Sequence, residues 1–318
     1  MLRFLRTRLL RAIIVLLVGS FFAYMLLRIL PGDPTLAKLG ANGTAGARAE
    51  LLHKWKLDGP FYSGYARWLR DAAKGDFGSS FAANISVSQT LKQRIVPSLQ
   101  LMLYAQIIAV SVAVVLGILQ AYRRGGWFDK TMEFVTSLLI SIPAFVLGLW
   151  LVILLARKGG FFQATGYVPF GKDPYKHFKL MLLPSITLAM APLATYARLL
   201  RTDMIATLQE DFVLLARSKG LSSRYILLRH GLKPSMFSLI TSAGLNIGAL
   251  IGGSVAVEAT FGIAGLGRFI VESVLSREYL QVQAGFLVVV IIFVLANLAV
   301  ELLYGVLDPR IRHARSIG

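Results

Sequence analysis

Asp211-Phe-Val-Leu-Leu-Ala-Arg-Ser-Lys-Gly220-Leu-Ser-Ser-Arg-Tyr-Ile-Leu-Leu-Arg-His-Gly-Leu-Lys-Pro234 is a soluble-looking interruption between two hydrophobic stretches. It reads as two short helices with a hinge between them. Leu208, Phe212, Leu215 and Lys219 recur at three- and four-residue spacing, which predicts a largely apolar stripe on the first helix with Glu210, Asp211 and Arg217 beside it. Gly220 follows a basic last turn and is suited to the left-handed conformation that ends a helix. Ser222 or Ser223 can then cap a second helix that Pro234 closes. A basic helical hairpin inside so apolar a chain is a candidate docking element.

The surrounding sequence reads as membrane-embedded. The 318 residues are 56% hydrophobic and only 16% charged, and the mean hydropathy is +0.65, outside the usual range of a soluble domain of this length. Six apolar stretches are long enough to cross a hydrocarbon core, which takes about 20 helical residues. They lie near Leu9 to Leu30, Ser98 to Tyr122, Met132 to Ala156, Met181 to Leu200, Met236 to Val257 and Ala284 to Tyr304. The fold expected is an all-α integral membrane protein with six transmembrane helices and a small helical extracytoplasmic cap between helices 1 and 2. A cleaved signal peptide is the rival reading of residues 1–30, but the apolar run is long and ends in Ile29-Leu30-Pro31-Gly32-Asp33-Pro34 without a small-x-small site, so a retained helix is expected.

Lys and Arg are distributed unevenly around these spans. Arg3, Arg6, Arg8 and Arg11 precede the first. Arg123, Arg124 and Lys130 join the second to the third, a run from Arg198 to Lys233 joins the fourth to the fifth, and Arg310, Arg312 and Arg315 follow the last. These outnumber Arg157, Lys158, Lys172, Lys176, Lys179, Arg268 and Arg277 on the other side, which predicts both termini in the cytoplasm. The formal charge of +18 is thus a topology signal. Basic residues scattered among spans do not make a nucleic-acid footprint, so no nucleic-acid partner is expected. The chain has no cysteine, which removes disulfides and thiolate metal sites.

In the cap, Thr44 can start a helix through Ala45 to Lys56, and Asp58-Gly59-Pro60 makes a turn. Tyr65, Trp68, Leu69 and Ala72 then share a helical face, expected to pack the cap onto the membrane domain, before the turn-rich Gly75-Asp76-Phe77-Gly78-Ser79-Ser80. In span five, Gly244, Gly248 and Gly252 lie four residues apart, and close approach of another backbone is expected there, with Asn246 adding a polar group. This helix is expected to be central, either packed inside the subunit or bordering a pathway or a partner permease. Pro143 in span three, with Pro184 and Pro192 in span four, can bend helices.

No His-Glu-x-x-His or Gly-x-Ser-x-Gly occurs, and His53, His177, His230 and His313 fall in separate connections and the tail, so neither a catalytic nor a metal site is expected. Gly166-Tyr-Val-Pro-Phe-Gly171-Lys172-Asp173 lacks the Ser or Thr of a phosphate-binding loop. The ionisable residues within the spans, Arg11, Arg28, Glu133, Arg198 and Glu301, sit near span ends, unlike the buried charges of ion-coupled carriers. The energy source is expected to lie in another subunit.

Taken in order, these pieces resemble the permease subunits of bacterial ABC importers, in the B-type branch of the dipeptide/oligopeptide/nickel transport family. The resemblance rests on Leu30-Pro31-Gly32-Asp33-Pro34, Gly75 to Ser80, Ser141-Ile142-Pro143, Ala216-Arg217-Ser218-Lys219-Gly220-Leu221 with Leu228-Arg229-His230, Phe261 to Arg268, and Asp308-Pro309-Arg310-Ile311-Arg312. It implies a type I ABC importer permease fold divided into residues 1–95, the first helix and cap; 96–307, a five-helix core with a cytoplasmic coupling loop at 201–235; and 308–318, a cytoplasmic tail. It further implies a homologous permease partner, in a heterodimer, two cytoplasmic ABC ATPases that bind ATP and Mg, an extracytoplasmic substrate-binding protein, and a place in the inner membrane. Peptides are the substrate implied, with nickel complexes, glutathione or other small solutes as alternatives, and an ATP-independent channel or secondary carrier is the rival reading from another class. In this family the segment matching Ala216 to Gly220 docks the ATPase, and the resemblance assigns that role to Ala216, Arg217, Lys219, Gly220 and Leu221. The family pattern begins Glu-Ala-Ala, whereas Leu214-Leu215-Ala216 stands here, so no salt bridge from the Glu position is implied.

Overall fold

A computed structural model describes residues 2–29, 34–40, 43–80, 85–155, 162 and 165–307. Most of Leu30 to Pro34, all of Asp308 to Arg312 and the tail lie outside them. The described chain is helical, with one isolated bridge, Ser79 to Ser86. In chain order the helices are α1 (Leu2–Ile29), α2 (Pro34–Leu39), α3 (Ala45–Lys54), α4 (Phe61–Ala73), α5 (Val87–Tyr122), α6 (Trp127–Ser141) and α7 (Ala144–Leu155). They continue with α8 (Pro174–Thr207), α9 (Asp211–Ser218), α10 (Ser223–Tyr225), α11 (Lys233–Leu245), α12 (Ile247–Thr260), α13 (Leu266–Leu275) and α14 (Tyr279–Leu307). A π-helical turn, Ile226–Leu232, joins α10 to α11.

Among the described residues, α1, α5, α8 and α14 are each long and apolar enough to cross a membrane. Two further apolar helix pairs are bent: α6 and α7 meet at 107°, and the helix ending in α11 meets α12 at 51°, giving six spans if each bent pair is one. Pro143 explains the first break. It has no N–H to donate and disfavours helical geometry at the residue before it, and Ile142 is accordingly extended, with φ −90° and ψ 126°. Pro184 and Pro192 leave α8 unbroken, and Pro234, expected to close a helix, instead sits in the first turn of α11, where a missing N–H costs nothing.

The chain divides into two compact units, residues 1–96 with 264–318 and residues 97–263, so the last span groups with the first. In the first unit α14 packs along α1 and α13. Thr44 caps α3 as its spacing predicts, its Oγ1 accepting from Ala47 N at 3.2 Å. Trp68, 5% exposed, anchors α4 against Ala23, Tyr24 and Leu287, with Tyr65, Leu69 and Ala72 beside it, so these aromatics are packing groups. The Tyr24 hydroxyl donates to Lys56 O at 2.6 Å, and Lys56 pairs with Asp71. Asp58 receives His53 Nδ1 and Arg67 Nη2 at 2.8 and 2.9 Å, and the His53 bond, reinforced by Arg67, holds its carboxyl below the ordinary range. Lys38 pairs with the buried Glu278 at 2.7 Å, and Arg8 pairs with Glu301.

In the second unit the centre is α8, and not span five as the glycine spacing suggests. Buried residues make up 72% of its most apolar window, against 33% for α5. The glycines that permit this lie on its neighbours. A Cβ at Gly117 of α5 would come within 3.0 Å of Leu200, one at Gly148 of α7 within 3.1 Å of Thr187, and one at Gly253 of α12 within 3.3 Å of Leu188. Small residues on three helices thus let side chains of α8 pack closely against their backbones.

Gly64 tests the account of the first unit. A Cβ there would collide with the Tyr24 hydroxyl and the Lys56 carbonyl. Gly64→Val is expected to destabilise the α3–α4 region by about 1–3 kcal/mol, as overpacking does, read as faster proteolysis between α1 and α5. Gly46→Ala, in the middle of a helical turn with open space around it, is expected to be neutral or mildly stabilising.

Candidate functional site

The hairpin begins where α8 ends at Thr207. Asp211 in the first turn of α9 and Arg217 in the last favour the helix dipole. At the far end Gly220 has φ +79°, as the sequence predicts. Its N–H donates to Arg217 O at 2.9 Å and the Leu221 N–H donates to Ala216 O at 3.3 Å, the paired bonds of a Schellman helix stop. Ser222, in extended geometry, then caps α10 through its Oγ, which accepts from Tyr225 N at 3.4 Å. The second arm continues without a break through the π-helical turn into α11.

The stripe read from the sequence is largely exposed, and a second apolar face is the packed one. Val213 and Ala216 of α9 pack on Ile226, with Leu208 beside them, while Phe212, Leu214 and Leu215 are 45%, 54% and 56% exposed. Leu221, Tyr225 and Leu228 add exposed apolar surface on the second arm, and Arg217, Lys219, Gly220, Arg224 and Arg229 are exposed among them. Of the residues assigned to docking, Ala216 therefore lies under the hairpin and the other four, Arg217, Lys219, Gly220 and Leu221, lie on its surface. The arms are seated firmly. Thr207 and Ser235 hydroxyls meet at 3.3 Å, Ser235 Oγ donates to Gly231 O at 2.9 Å, and a Cβ at Gly231 would lie 3.2 Å from Leu208. Displacement of the hairpin must carry α8 and α11 with it.

Two buried polar groups near these helices went unselected by sequence reasoning. Asp129, 1% exposed in the first turn of α6, accepts Arg201 Nε and Nη2 of α8 at 2.6 and 2.7 Å and the Gly125 N–H at 2.9 Å. A bidentate, charge-assisted pair of this kind fixes orientation as well as distance. Glu258, expected to lie just beyond span five, is fully buried on α12 and receives the Ser98 hydroxyl at 2.5 Å. Both lie in terminal turns, Asp129 in the first of α6 and Glu258 in the last of α12, so these ionisable groups, though buried, stand near helix ends. The signal for Glu258 was its place one residue past an apolar run.

Span five is the third feature. Gly244 belongs to α11, Gly248 and Gly252 to α12, and the 51° bend separates them. Gly244 is buried, Gly248 half-buried, and Gly252 exposed with, among the described residues, nothing beyond its own helix within 4 Å of its Cβ position. Asn246 stands at the bend and its Nδ2 donates to the Tyr196 hydroxyl at 3.0 Å. Tyr196, fully buried on α8, also meets the Gln106 amide at 3.3 Å, and Gln106 Nε2 donates to Ala243 O at 3.1 Å. One side chain from each of α5 and α8 thus satisfies polar groups freed where α11 ends. Among the described residues no group of three His, Cys, Asp or Glu side chains is placed to hold a metal ion.

Tyr196→Phe leaves the Gln106 and Asn246 amides short of a partner, which is expected to cost about 1–3 kcal/mol. The melting temperature of the purified protein should fall accordingly. Adding Asn246→Leu should cost less than the two single changes summed, because both act on one network. Leu245→Ile, on a residue 68% exposed, should have little effect.

Comparison with known proteins places this geometry. Residues 113–313 match the family profile described as binding-protein-dependent transport system inner membrane component, and residues 1–102 match the profile of the N-terminal part of the membrane component of such systems. The chain is 33% identical over 306 residues to a Brucella abortus (strain 2308) protein provisionally named as a peptide transport system permease, covering 96% of this chain and 98% of that one. It is 34% identical over 313 residues to the glutathione transport system permease protein GsiC of Escherichia coli (strain K12), covering 98% and 100%. A provisionally named peptide ABC transporter permease of Sinorhizobium fredii is 32% identical over 306 residues, covering 96% and 98%. With one profile matched over most of the chain and relatives aligned nearly end to end, this protein belongs to the family of inner membrane components of binding-protein-dependent transport systems.

Proposed function

We propose that the chain is the membrane-spanning permease of an ATP-driven importer of peptides, and that the hairpin from Asp211 to Leu232 is the surface on which a cytoplasmic ATPase docks. The observation that carries this reading is the exposed apolar face of Phe212, Leu214 and Leu215 on a helix whose other face is already packed. An apolar patch held rigid and rimmed by Arg217, Lys219, Arg224 and Arg229 is suited to a protein partner. The substrate class is supported by the relatives named for peptide and glutathione transport, glutathione being itself a tripeptide. A homologous permease, a second ATPase and an extracytoplasmic binding protein complete the assembly.

ATP binding would draw the two ATPases together and displace the hairpins. Because each hairpin is joined to α8 and α11, the motion would pass to the spans and alternate the exposure of the pathway. The chain itself supplies no hydrolytic step. The role of Lys219, Gly220 and Leu221 is to hold the turn that presents the apolar face, and that of Ala216 is to seat it.

In the reconstituted importer, Leu215→Asp is expected to lower uptake and substrate-stimulated ATP hydrolysis at least tenfold, with normal recovery of the permease in the membrane, since the side chain is exposed. Gly220→Val and Ala216→Glu should lose the same activities together with hairpin integrity, the first by straining a left-handed turn and the second by burying a charge. Substrate affinity of the isolated binding protein should not change. Uptake that continues without any ATPase subunit would overturn the reading.

Orientation is tested separately. The proposed topology puts both termini and the hairpin in the cytoplasm. As the chain has no cysteine, single cysteines at Ser79 and Ser222 can be probed with an impermeant thiol reagent in cells whose outer membrane is permeable to it. Labelling at Ser79 and protection at Ser222 is expected; the reverse pattern would invert the topology.

A further inference from the structure

A cavity of about 200 Å³ lies between the end of α5 and the hairpin. Tyr122 lines it from α5, Arg217 and Ser223 line it from the two arms, and Leu208 and Ile226 supply an apolar part. Arg217, Ser223 and Tyr122 are exposed, so the cavity opens to solution. Among the described residues none of these three side chains makes a hydrogen bond or an ion pair. Of the basic residues on the hairpin, Arg217 is the one that lines the cavity; Lys219, Arg224 and Arg229 are exposed outside it. No acidic residue lines it either. Glu210 and Asp211, at the start of α9, stand about 9–10 Å back along the helix from Arg217.

A guanidinium beside two hydroxyls is a donor set in want of an anion. Arginine presents a planar fork that takes a carboxylate through two parallel hydrogen bonds, and the Ser223 and Tyr122 hydroxyls can donate to the lone pairs that the fork leaves over. One cation matches one carboxylate. A lipid phosphate would bring acyl chains that need a hydrocarbon path of their own, whereas Leu208 and Ile226 already belong to the cluster packed under the hairpin. The cavity also shares its helix with the exposed face of Phe212 and Leu215, so a protein that covers that face is at hand to fill it.

Building on the reading of the hairpin as the ATPase dock, we propose that this cavity receives one Asp or Glu side chain of the docked ATPase, held by Arg217 and by the hydroxyls of Ser223 and Tyr122. The dock then has a support outside the hairpin, the end of α5. Lys219, Arg224 and Arg229 act through their field on the rate of encounter, while the carboxylate enclosed with Arg217 holds the complex once it has formed.

The test uses the full-length chain assembled with its partner permease in phosphatidylcholine nanodiscs, with binding and release of the ATPase subunits followed in real time. Arg217→Gln is expected to speed release about thirtyfold or more, and Arg217→Lys, which keeps the charge but loses the fork, to recover only part of the loss. Tyr122→Phe removes one hydroxyl from a side chain that is 63% exposed and lies outside the hairpin, so the fold is left intact. It should speed release about two- to fivefold, and by less when Arg217→Gln is already present, because both groups meet one carboxylate. Arg224→Gln should instead slow association and weaken its salt dependence. Leu215→Asp separates this claim from the docking reading. If Leu215→Asp abolishes ATPase binding while Arg217→Gln alters association alone, as Arg224→Gln does, the hairpin docks the ATPase but the cavity holds no carboxylate, and the proposal is overturned. Binding unchanged in every variant would overturn the docking reading with it. Faster release of Arg217→Gln that requires phosphatidylglycerol in the disc would assign the cavity to a lipid headgroup, which also contradicts the proposal.

Discussion

Two hydrogen bonds across Gly220 set the geometry on which the hairpin depends. With φ at +79°, the Gly220 and Leu221 amides close on Arg217 and Ala216 and end α9 within one residue, so that Ser222 can start the return arm at once. A longer or looser connection would let Val213 and Ala216 slide off Ile226. The small cluster under the turn would then open, and the leucines on its outer face would lose a fixed spacing. In the proposed docking role the hairpin would pass force between a soluble enzyme and a membrane span, and such a lever must be stiff along its length. The groups that would stiffen it are a helix stop at one end and the Thr207, Ser235 and Gly231 contacts at the other.

The membrane imposes a second constraint, that every backbone polar group freed from a helix find a partner inside the protein. The chain meets it differently at its two breaks. At Pro143 no amide hydrogen exists to satisfy, and the Ile142 N–H still reaches Leu138 O at 3.2 Å. At Asn246 the Gln106 side chain takes the Ala243 carbonyl, and Tyr196 holds the asparagine. The second arrangement ties the bend in span five to α8, the same helix that ends in the hairpin and that Arg201 fastens to α6. In the proposed role, displacement of the hairpin would reach the bend through packed and hydrogen-bonded groups rather than through loops.

Local signals in the sequence were read correctly because local physics decides them. Gly220 stops a helix, Thr44 and Ser222 cap helices, Trp68 faces inward and Pro143 breaks a span, each within a few residues of its cause. What is less legible is decided by neighbours distant in the chain. Phe212 and Leu215 form as good an apolar stripe as Val213 and Ala216, and periodicity does not reveal which of the two the chain covers itself. In span five Gly244, Gly248 and Gly252 were conspicuous at four-residue spacing, but their neighbour Gly253, with Gly117 and Gly148 on two other helices, is placed where a Cβ would meet α8. Glu258 was missed for a related reason, since an apolar run ending at Val257 says nothing of a helix that continues to Thr260.

Rigidity of the hairpin under load is the central claim, and distances across it test it most directly. In the reconstituted importer, spin labels at cysteines replacing Leu214 and Leu228, two exposed residues on opposite arms, would report the span of one hairpin with and without trapped ATP. The account predicts the same distance distribution in both states, while a label at Leu214 and one on the hairpin of the partner permease move relative to each other. A hairpin that opens or closes with nucleotide while the two permeases hold their separation would contradict it.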